Sequence, residues 1–411
     1  MGVIVGGAVA LHADPATSDP ALQKLNQENQ DLKKRLDALE YVAQKEGWLP
    51  SNTTNADPPV GAMTDIMVSG FVTTSYFHDT SEPPGPSHVS PGYLWNRVND
   101  NFSLNKVKVT LASPPVQRSG DKFDVAFRAS LIFGQDAPIV NSGSGNTGFN
   151  SLREAYVEAN VPIGTGLNVR AGEMISLLNY ESGDGGAANA NFSQGFQWFF
   201  TGNGPAGGVQ LDYEFTDWLD VKARVQNGLY AGPLDNNSSK TFVGAIDLKP
   251  SESLWVNLLG FGGREDAFAQ TVVGGEILAG WKATKELTFG TELDYFDFYN
   301  PQTAVPAGHN EVYSGGLWTD YAFSKAVDLA LRAEFLSDKN GADISGGALG
   351  FANPPGTGQD LTSVALTLNY TPLSNIKIQP EVRFDHTSWS GGFVPGKQNR
   401  VIFGAGISYL F

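Results

Sequence analysis

The chain ends in Arg400-Val-Ile-Phe-Gly-Ala-Gly-Ile-Ser-Tyr-Leu-Phe411, a stretch with a period of two residues. One face carries Val401, Phe403, Ala405, Ile407, Tyr409 and Phe411, and the other carries Arg400, Gly404, Gly406 and Ser408. This period indicates a β-strand. A strand of a soluble sandwich is normally followed by polar chain, whereas this one ends on an aromatic residue. An apolar face turned to lipid, ending on an interfacial aromatic residue, explains the pattern better.

The composition of the 411 residues narrows the class of protein. The sequence contains no run of about 18 apolar residues, the length that a helix needs to span a membrane. This excludes a helical membrane protein. The 48 glycines and 11% aromatic residues favour many turns and many interfacial side chains. Zero cysteines exclude disulfides and cysteine-based metal sites. The net charge of −16 argues against a nucleic-acid partner, whose phosphates would be repelled.

From residue 65 onward, sixteen runs of about ten residues alternate with period two and are bounded by turn residues. They centre on residues 66–77, 102–112, 122–134, 152–161, 166–176, 206–215, 218–230, 240–248, 253–262, 271–282, 285–298, 311–322, 326–337, 361–371, 375–387 and 399–411. We therefore predict that residues 65–411 form an all-β domain, a 16-stranded antiparallel transmembrane β-barrel. An even strand count brings both ends of the sheet to one side of the membrane.

The connections between these strands alternate between long and short. The long ones include residues 78–101, 135–150, 178–205, 301–310 and 338–360. The short ones resemble Tyr213-Glu-Phe-Thr-Asp-Trp-Leu219, with an aromatic strand end, a polar turn and an apolar re-entry. Transmembrane barrels have tight periplasmic turns and long external loops, so this sorting supports the barrel.

Alternation also predicts which way side chains face. In the thirteenth run Val327, Leu329, Leu331, Ala333 and Phe335 oppose Asp328, Arg332 and Glu334, which fits lipid outside and water inside. Aromatic residues at strand ends are predicted to form a periplasmic girdle: Tyr213, Phe215, Trp218, Trp255, Trp281, Tyr321, Phe323, Tyr370, Tyr409 and Phe411. The ninth run is apolar on both faces, for which a contact between subunits is one explanation.

The first 64 residues have a different pattern. Residues 1–13 look like the remnant of a secretory signal, with an ordered strand as the alternative. Residues 14–47 have heptad spacing, which predicts a periplasmic coiled-coil helix or, alternatively, a lone helix packed on the barrel or cell wall. The a and d positions predicted to mediate oligomerisation include Leu22, Leu25, Asn29, Leu32, Leu36 and Leu39. Residues 48–64 are proline-rich and predict a stiff linker.

A barrel of about 16 strands leaves an aqueous lumen, so passage depends on constriction and charge. The predicted pore-lining residues are Arg128, Arg170, Arg224, Arg332, Arg383, Asp124, Glu158, Asp212, Glu292, Asp294, Glu334 and Glu381. The arginines form either a basic ladder or a wall neutralised by salt bridges. The third long connection predicts a constriction loop with Glu181, Asp184, Asn189, Asn191 and Gln194, and an ordinary external loop is the alternative. Nothing indicates a catalytic residue, a cofactor or a metal site.

The alternating apolar residues that end in Tyr409 and Phe411 resemble the closing strand of Gram-negative outer-membrane barrels. The resemblance implies that Tyr409 and Phe411 are read as a signal by the assembly machinery. The whole arrangement is similar to the β-barrel porin superfamily, particularly the DcaP-like porins with an N-terminal coiled coil. It implies a trimeric channel of the outer membrane, in contact with its lipid, for passive diffusion of small polar or charged solutes.

Two other functions stay open at this point. The N-terminal helix predicts, as an alternative, a structural protein that links the outer membrane to peptidoglycan. A barrel hydrolase would need a nucleophile with a base, and His386 beside Asp385 is the candidate pair. No serine is placed beside this pair by the sequence.

Overall fold

The computed structural model divides into two units, residues 1–64 and residues 65–411. In the first unit it describes only Gln27, which is helical and exposed. In the second it describes residues 66–411 except 84–87, 94, 141–149, 203, 230–234, 236, 266–269, 301–306, 342, 345–350, 352 and 355. The predicted signal remnant, coiled coil and linker, with the heptad residues Leu22, Leu25, Asn29, Leu32, Leu36 and Leu39, therefore lie outside the described residues.

Sixteen antiparallel strands form one closed sheet. They are β1 (Met67–Asp79), β2 (Ser103–Ala112), β3 (Asp124–Phe133), β4 (Leu152–Val161), β5 (Leu167–Met174), β6 (Ala206–Thr216), β7 (Leu219–Gln226), β8 (Thr241–Ser251), β9 (Leu254–Arg264), β10 (Thr271–Lys282), β11 (Leu287–Asn300), β12 (Gly308–Ala322), β13 (Val327–Asp338), β14 (Gln359–Leu373), β15 (Ile376–Thr387) and β16 (Asn399–Leu410). Two short helices, α1 (Ala137–Val140) and α2 (Phe196–Phe200), lie in the second and third long loops.

The first and last strands close the barrel. β1 pairs with β16 from Phe71 opposite Leu410 to Asp79 opposite Ile402. Beyond β16, the Phe411 N–H donates to the Gly70 carbonyl at 3.0 Å, and the Gly70 N–H donates to the Phe411 carbonyl at 2.8 Å. The predicted 16-stranded barrel is thus confirmed, and its closure leaves no sheet edge unpaired.

Side chains alternate between the outer and inner faces as the period of two requires. In β16, Phe403, Ile407 and Tyr409 are half exposed on the outside, whereas Arg400 and Ser408 are buried inside. Two groups of exposed aromatic residues mark the rims. Trp218, Trp281, Tyr321 and Tyr370 lie near the short turns, and Tyr76, Phe102, Tyr295 and Tyr313 lie toward the long loops. No helix among the described residues is long and apolar enough to cross a membrane.

The position predicted for one residue of β9 is wrong, and the structure explains why both faces of this strand are apolar. Trp255 was expected in the outer girdle, but it shares the inner face with Asn257 and Leu259 and stacks on Tyr180 of the third loop. A contact between subunits is one explanation for the second apolar face of β9, but that face points inward, where Leu259 packs with Leu177 and Tyr180. The physical reason is that a loop folds into the lumen, and its apolar side chains pack against apolar side chains on the inner face of β9.

Strand bounds differ from the prediction mainly at the long-loop rim. β12 begins at Gly308 because Gly308, His309 and Asn310 still pair with Asn300, Tyr299 and Phe298 of β11. The ring of His309 lies 2.7 Å from the Asp297 carboxylate and connects the two strands there. These polar residues carry no apolar alternation, so the sequence pattern ends before the hydrogen-bonded ladder does.

Candidate functional site

The connection between β5 and β6, residues 175–205 and here called loop 3, lies inside the barrel. On one wall of the barrel, the Asp184 carboxylate of loop 3 pairs with Lys108 of β2. On another wall, the Tyr180 N–H of loop 3 donates to Glu292 of β11 at 2.6 Å. Asn179 also donates its N–H to Glu276 of β10 at 3.0 Å. In a closed sheet of 16 strands, β2 and β10 stand on opposite walls. Loop 3 therefore crosses the lumen.

Loop 3 is held largely by buried carboxylates of the wall that accept its backbone N–H groups. Glu381 accepts from Phe192 at 2.8 Å, and Glu334 accepts from Gln197 at 3.1 Å. Glu292 also accepts from the Asn179 side chain at 3.0 Å. Such hydrogen bonds to a charged group contribute about 1.5–3 kcal/mol each. Three residues predicted to line the pore, Glu292, Glu334 and Glu381, thus contact the loop.

Arg332 and Arg383 also hold loop 3 and are almost completely buried. Arg332 Nη1 donates to Glu181 Oε1 at 2.7 Å, and its Nε lies 3.0 Å from Glu334 Oε2. Arg383 Nη1 donates to the Gln194 carbonyl at 2.7 Å. A buried charge is tolerated when it is paired and hydrogen-bonded, and these guanidinium groups meet that condition.

At the β2 and β4 side, Asp184 pairs with Lys108 and lies 3.3 Å from the Arg153 Nε atom. Burial raises the pKa of the Asp184 carboxyl, but these two cations outweigh burial and hold the pKa below its usual value. The carboxylate therefore stays ionised throughout the neutral range. Lys106, Lys108 and Arg153 were not among the predicted site residues, although the parity of β2 places Lys106 and Lys108 on the inner face.

The other residues predicted for loop 3 brace it. Asn189 donates its side-chain N–H to the Ser182 carbonyl at 3.0 Å and to Gln194 Oε1 at 3.1 Å. Asn191 donates to Thr367 of β14 at 2.9 Å. The loop is thus internally crosslinked as well as tied to the wall.

An aromatic cluster fills the long-loop half of the lumen beside β10–β14. Phe196 and Phe200 of α2 pack there with Phe351 and Phe393 of the last two long loops and with inward strand residues such as Phe296. Phe196 and Phe200 are each 1% exposed. The loop's aromatic end thus supplies an apolar core inside the barrel.

The opposite side of the lumen, along β3–β5, keeps charged side chains in contact with solvent. The Arg128 and Arg170 side chains are 37% and 30% exposed, whereas their partners Glu154 and Glu158 are 3% and 10% exposed. The arginine–carboxylate distances are 2.6 and 3.0 Å. The cationic ends therefore face water and the anionic ends are covered. We call Arg128 and Arg170 the arginine strip.

The remaining predicted pore residues occupy other positions. Arg224 is buried and donates to Gln210 Oε1 at 2.6 Å and to the Ile175 carbonyl at 2.8 Å. Asp212 is buried and pairs with Arg118 at 2.8 Å near the short turns. Asp124, at the start of β3, accepts the Gln117 N–H at 2.9 Å. These three residues lie apart from the centre of loop 3.

Three buried carboxylates could hold a cation. The oxygens of Glu276, Glu292 and Asp294 lie within 4.8 Å of one another. In this structure they accept hydrogen bonds from loop 3, including one from Gln197 Nε2 to Asp294 at 2.7 Å. Oxygen ligands of this kind suit a hard divalent cation.

The candidate catalytic pair is not assembled. His386 Nδ1 lies 2.8 Å from Asn399 Oδ1 at an exposed position. Asp385 is buried on the other face of β15 and accepts from Arg383 and Arg400 at 2.6 and 2.9 Å. Neighbouring residues of a strand point to opposite faces, so Asp385 cannot orient the His386 ring.

Residues 65–411 match the family described as "Putative beta-barrel porin-2, OmpL-like". The chain belongs to this porin family. Among curated proteins none matches the chain. The protein is accordingly an outer-membrane porin, and the outer membrane is its location.

Solved structures share the fold of this porin. The anion-selective porin from Comamonas acidovorans is 11% identical, with 84% of this chain and 99% of that chain covered and a TM-score of 0.57. The outer membrane channel DcaP of Acinetobacter baumannii is 14% identical, with 84% and 97% covered and a TM-score of 0.53. In-vitro folded OmpT of Vibrio cholerae is 13% identical, with 88% and 100% covered and a TM-score of 0.53.

Proposed function

We propose that this porin is a passive diffusion channel for small polar solutes, and that solutes pass along the arginine strip beside loop 3. The observation that carries the proposal is the division of the lumen. Loop 3 and the aromatic cluster occupy the β10–β14 side, while Arg128 and Arg170 keep about a third of each side chain exposed on the other side. A narrowed, charged passage of this kind selects by size and charge.

The exposed guanidinium groups favour small anions over cations of equal size. Each arginine is paired, but the pair is oriented with its carboxylate covered, so the surface that a solute meets is positive. The chain's net charge of −16 does not oppose this, because local charges within a Debye length of about 8 Å dominate inside a narrow passage. The fold shared with an anion-selective porin supports the same direction.

Two parts of the proposal concern assembly. The heptads of residues 14–47 associate three copies through a periplasmic coiled coil, with the lone helix and a peptidoglycan contact as alternatives. Tyr409 and Phe411 serve as the assembly signal, consistent with their half-exposed outer positions next to β1. The proposal gives His386 no role as a catalytic base, since its ring contacts an amide rather than a carboxylate.

Liposome swelling tests the channel. Purified, folded protein reconstituted in liposomes is expected to admit neutral solutes of hexose size and to admit larger oligosaccharides progressively more slowly. Folding is checked separately by the heat-dependent shift of the barrel on a gel. No swelling with any solute in the presence of folded barrel would contradict the proposal.

The arginine strip has its own test. Under a KCl gradient, Arg128→Ala with Arg170→Ala is expected to move the reversal potential toward cation preference. Arg264→Ala is the control because it removes a positive charge from an exposed residue at the long-loop end of β9, and the single variants Arg128→Ala and Arg170→Ala match it in charge. An equal potential for the double variant and the control would reject the strip.

A further inference from the structure

A cavity of about 380 Å³ lies between loop 3 and the inner wall of β9–β12, in the half of the barrel nearest the short turns. Its lining includes Tyr180 and Asn191 of loop 3 and Trp255, Asn257, Trp318 and Asp320 of the wall. The volume falls within the range of small-molecule sites, roughly 300–1,000 Å³. It is separate from the arginine strip and from the aromatic cluster.

Three aromatic rings of this cavity form one stack. The Tyr180 ring lies 6.0 Å from Trp255 with an interplanar angle of 13°, and 4.7 Å from Trp318 with an angle of 30°. Trp318 Nε1 donates to Glu181 Oε1 at 3.3 Å, which fixes its orientation. The stack is therefore held by the same loop that crosses the lumen.

Inward glycines of three successive strands make room for these rings. A Cβ at Gly280 would lie 2.3 Å from Trp255 Nε1, and one at Gly290 would lie 2.1 Å from Tyr180 Cζ. A Cβ at Gly316 would lie 2.3 Å from the Trp318 ring. Glycine in a strand interior often marks a place where another group approaches the backbone closely. The wall is thus shaped to hold the rings close against it.

The polar lining of the cavity consists of amides, hydroxyls and carboxylates. No lysine or arginine is among the described residues that line it. Asn191 is 1% exposed and its Oδ1 has no hydrogen-bond donor among the described residues. The side-chain amide of Asn257 likewise has no hydrogen-bond partner among the described residues. A ligand hydroxyl can donate to the unpaired Asn191 acceptor, whereas an ionised carboxylate cannot.

We propose that this cavity is a binding site for a neutral polyhydroxylated ring, that is, a sugar of one or two units, that enters the lumen. The proposal rests on the proposed function and names one solute class for it. The apolar C–H face of a sugar ring covers an aromatic surface, while its hydroxyls donate to Asn191 and Asp320 and accept from Asn257. The acidic, base-free lining disfavours sugar acids.

The test uses the full-length protein in planar bilayers with maltose as the probe. Maltose is expected to reduce the ion current in a saturable way, and glucuronate is expected not to. Trp255→Leu should weaken the apparent affinity for maltose about tenfold, since aromatic contacts contribute about this much. Trp255→Phe should restore most of it. Trp281→Leu is the matched control because Trp281 lies on the outer face, one strand away.

Tryptophan fluorescence of the same variants in detergent measures binding without conduction. A saturable maltose effect in wild type that is lost in Trp255→Leu and kept in Trp281→Leu supports the site. Channels that conduct but show no saturable maltose effect in either measurement would overturn the site and leave the channel intact. Stronger binding of glucuronate or of an organic cation than of maltose would also overturn it. Absence of conduction with maltose binding preserved would instead reject the channel.

Discussion

Removing the Arg332 guanidinium should release loop 3 from the wall. In Arg332→Ala, the carboxylates of Glu181 and Glu334 lose a cation at 2.7 and 3.0 Å while remaining 3% and 1% exposed. The Ser193 hydroxyl and carbonyl lose a donor as well. The perturbation therefore leaves two buried charges without their main partner, at the centre of the loop's attachment.

The magnitude follows from this burial. Removing one partner of a buried ion pair costs about 3–5 kcal/mol because the other charge stays uncompensated. Each 1.4 kcal/mol corresponds to a factor of ten, so the ratio of released to docked loop should rise by roughly 10²- to 4 × 10³-fold. The barrel strands lose no backbone hydrogen bond, so the sheet itself should persist.

Cysteine labelling measures the release, and the chain has no native cysteine to interfere. Ser193→Cys places a thiol at a position that is 2% exposed in the docked loop. A membrane-impermeant thiol reagent should label it roughly 10²-fold faster or more in the Arg332→Ala background, because labelling follows the opening equilibrium.

Arg128→Ala is the matched control for this experiment, since it removes an arginine that pairs with Glu154 of β4 rather than with loop 3. Labelling should stay slow in that background. If both backgrounds label at the wild-type rate while the barrel is folded, the buried ion pairs do not hold the loop, and the account of loop 3 is wrong.

Three further predictions concern other parts of the molecule. Gly290→Ala should displace the Tyr180 ring and cost about 1–3 kcal/mol by overpacking, seen as a lower unfolding midpoint. The control Gly315→Ala, whose Cβ would meet only Leu293 at 3.3 Å, should have little effect, and equal losses would argue against the ring lying on the wall. The pKa of Asp184 is held below its usual value. The ionised Asp184 carboxylate therefore stabilises loop 3 fully at any pH above the usual pKa, and this stabilisation is lost as the pH falls through the lowered pKa. Increased current noise is therefore expected in Asp184→Asn at pH 7 and in wild type only in acid, and a quiet Asp184→Asn channel at pH 7 would count against the contact. Deleting residues 14–47 should dissociate the oligomer in analytical ultracentrifugation, and an unchanged sedimentation profile would remove the coiled coil's role.

Much of the barrel could be predicted from the sequence because period-two alternation is local. The alternation within each strand shows which face meets lipid, as it does from Val327 to Phe335 in β13. Turn residues show where the strand ends. The sorting of long and short connections then selects a barrel over a sandwich. Rim pairings such as those of Gly308 could not be predicted, since polar residues there carry no alternation.

The interior of the barrel could not be predicted to the same depth. Alternation assigns Arg128 and Arg332 alike to the inner face, but one is 37% exposed and the other 0%. The difference depends on where loop 3 lies, which is set by contacts between residues far apart in the chain, such as Glu181 with Arg332. An apolar inner face, as in β9, was the available signal that the lumen holds more than water.

Single-channel recording of purified, folded protein in a planar bilayer shows whether the closed sheet surrounds a water-filled passage narrowed by loop 3. We expect discrete current steps of uniform size in KCl, and a larger step in Arg332→Ala, in which the loop is released. A membrane that stays silent although folded barrels are inserted would contradict the account, as would identical steps in the two proteins.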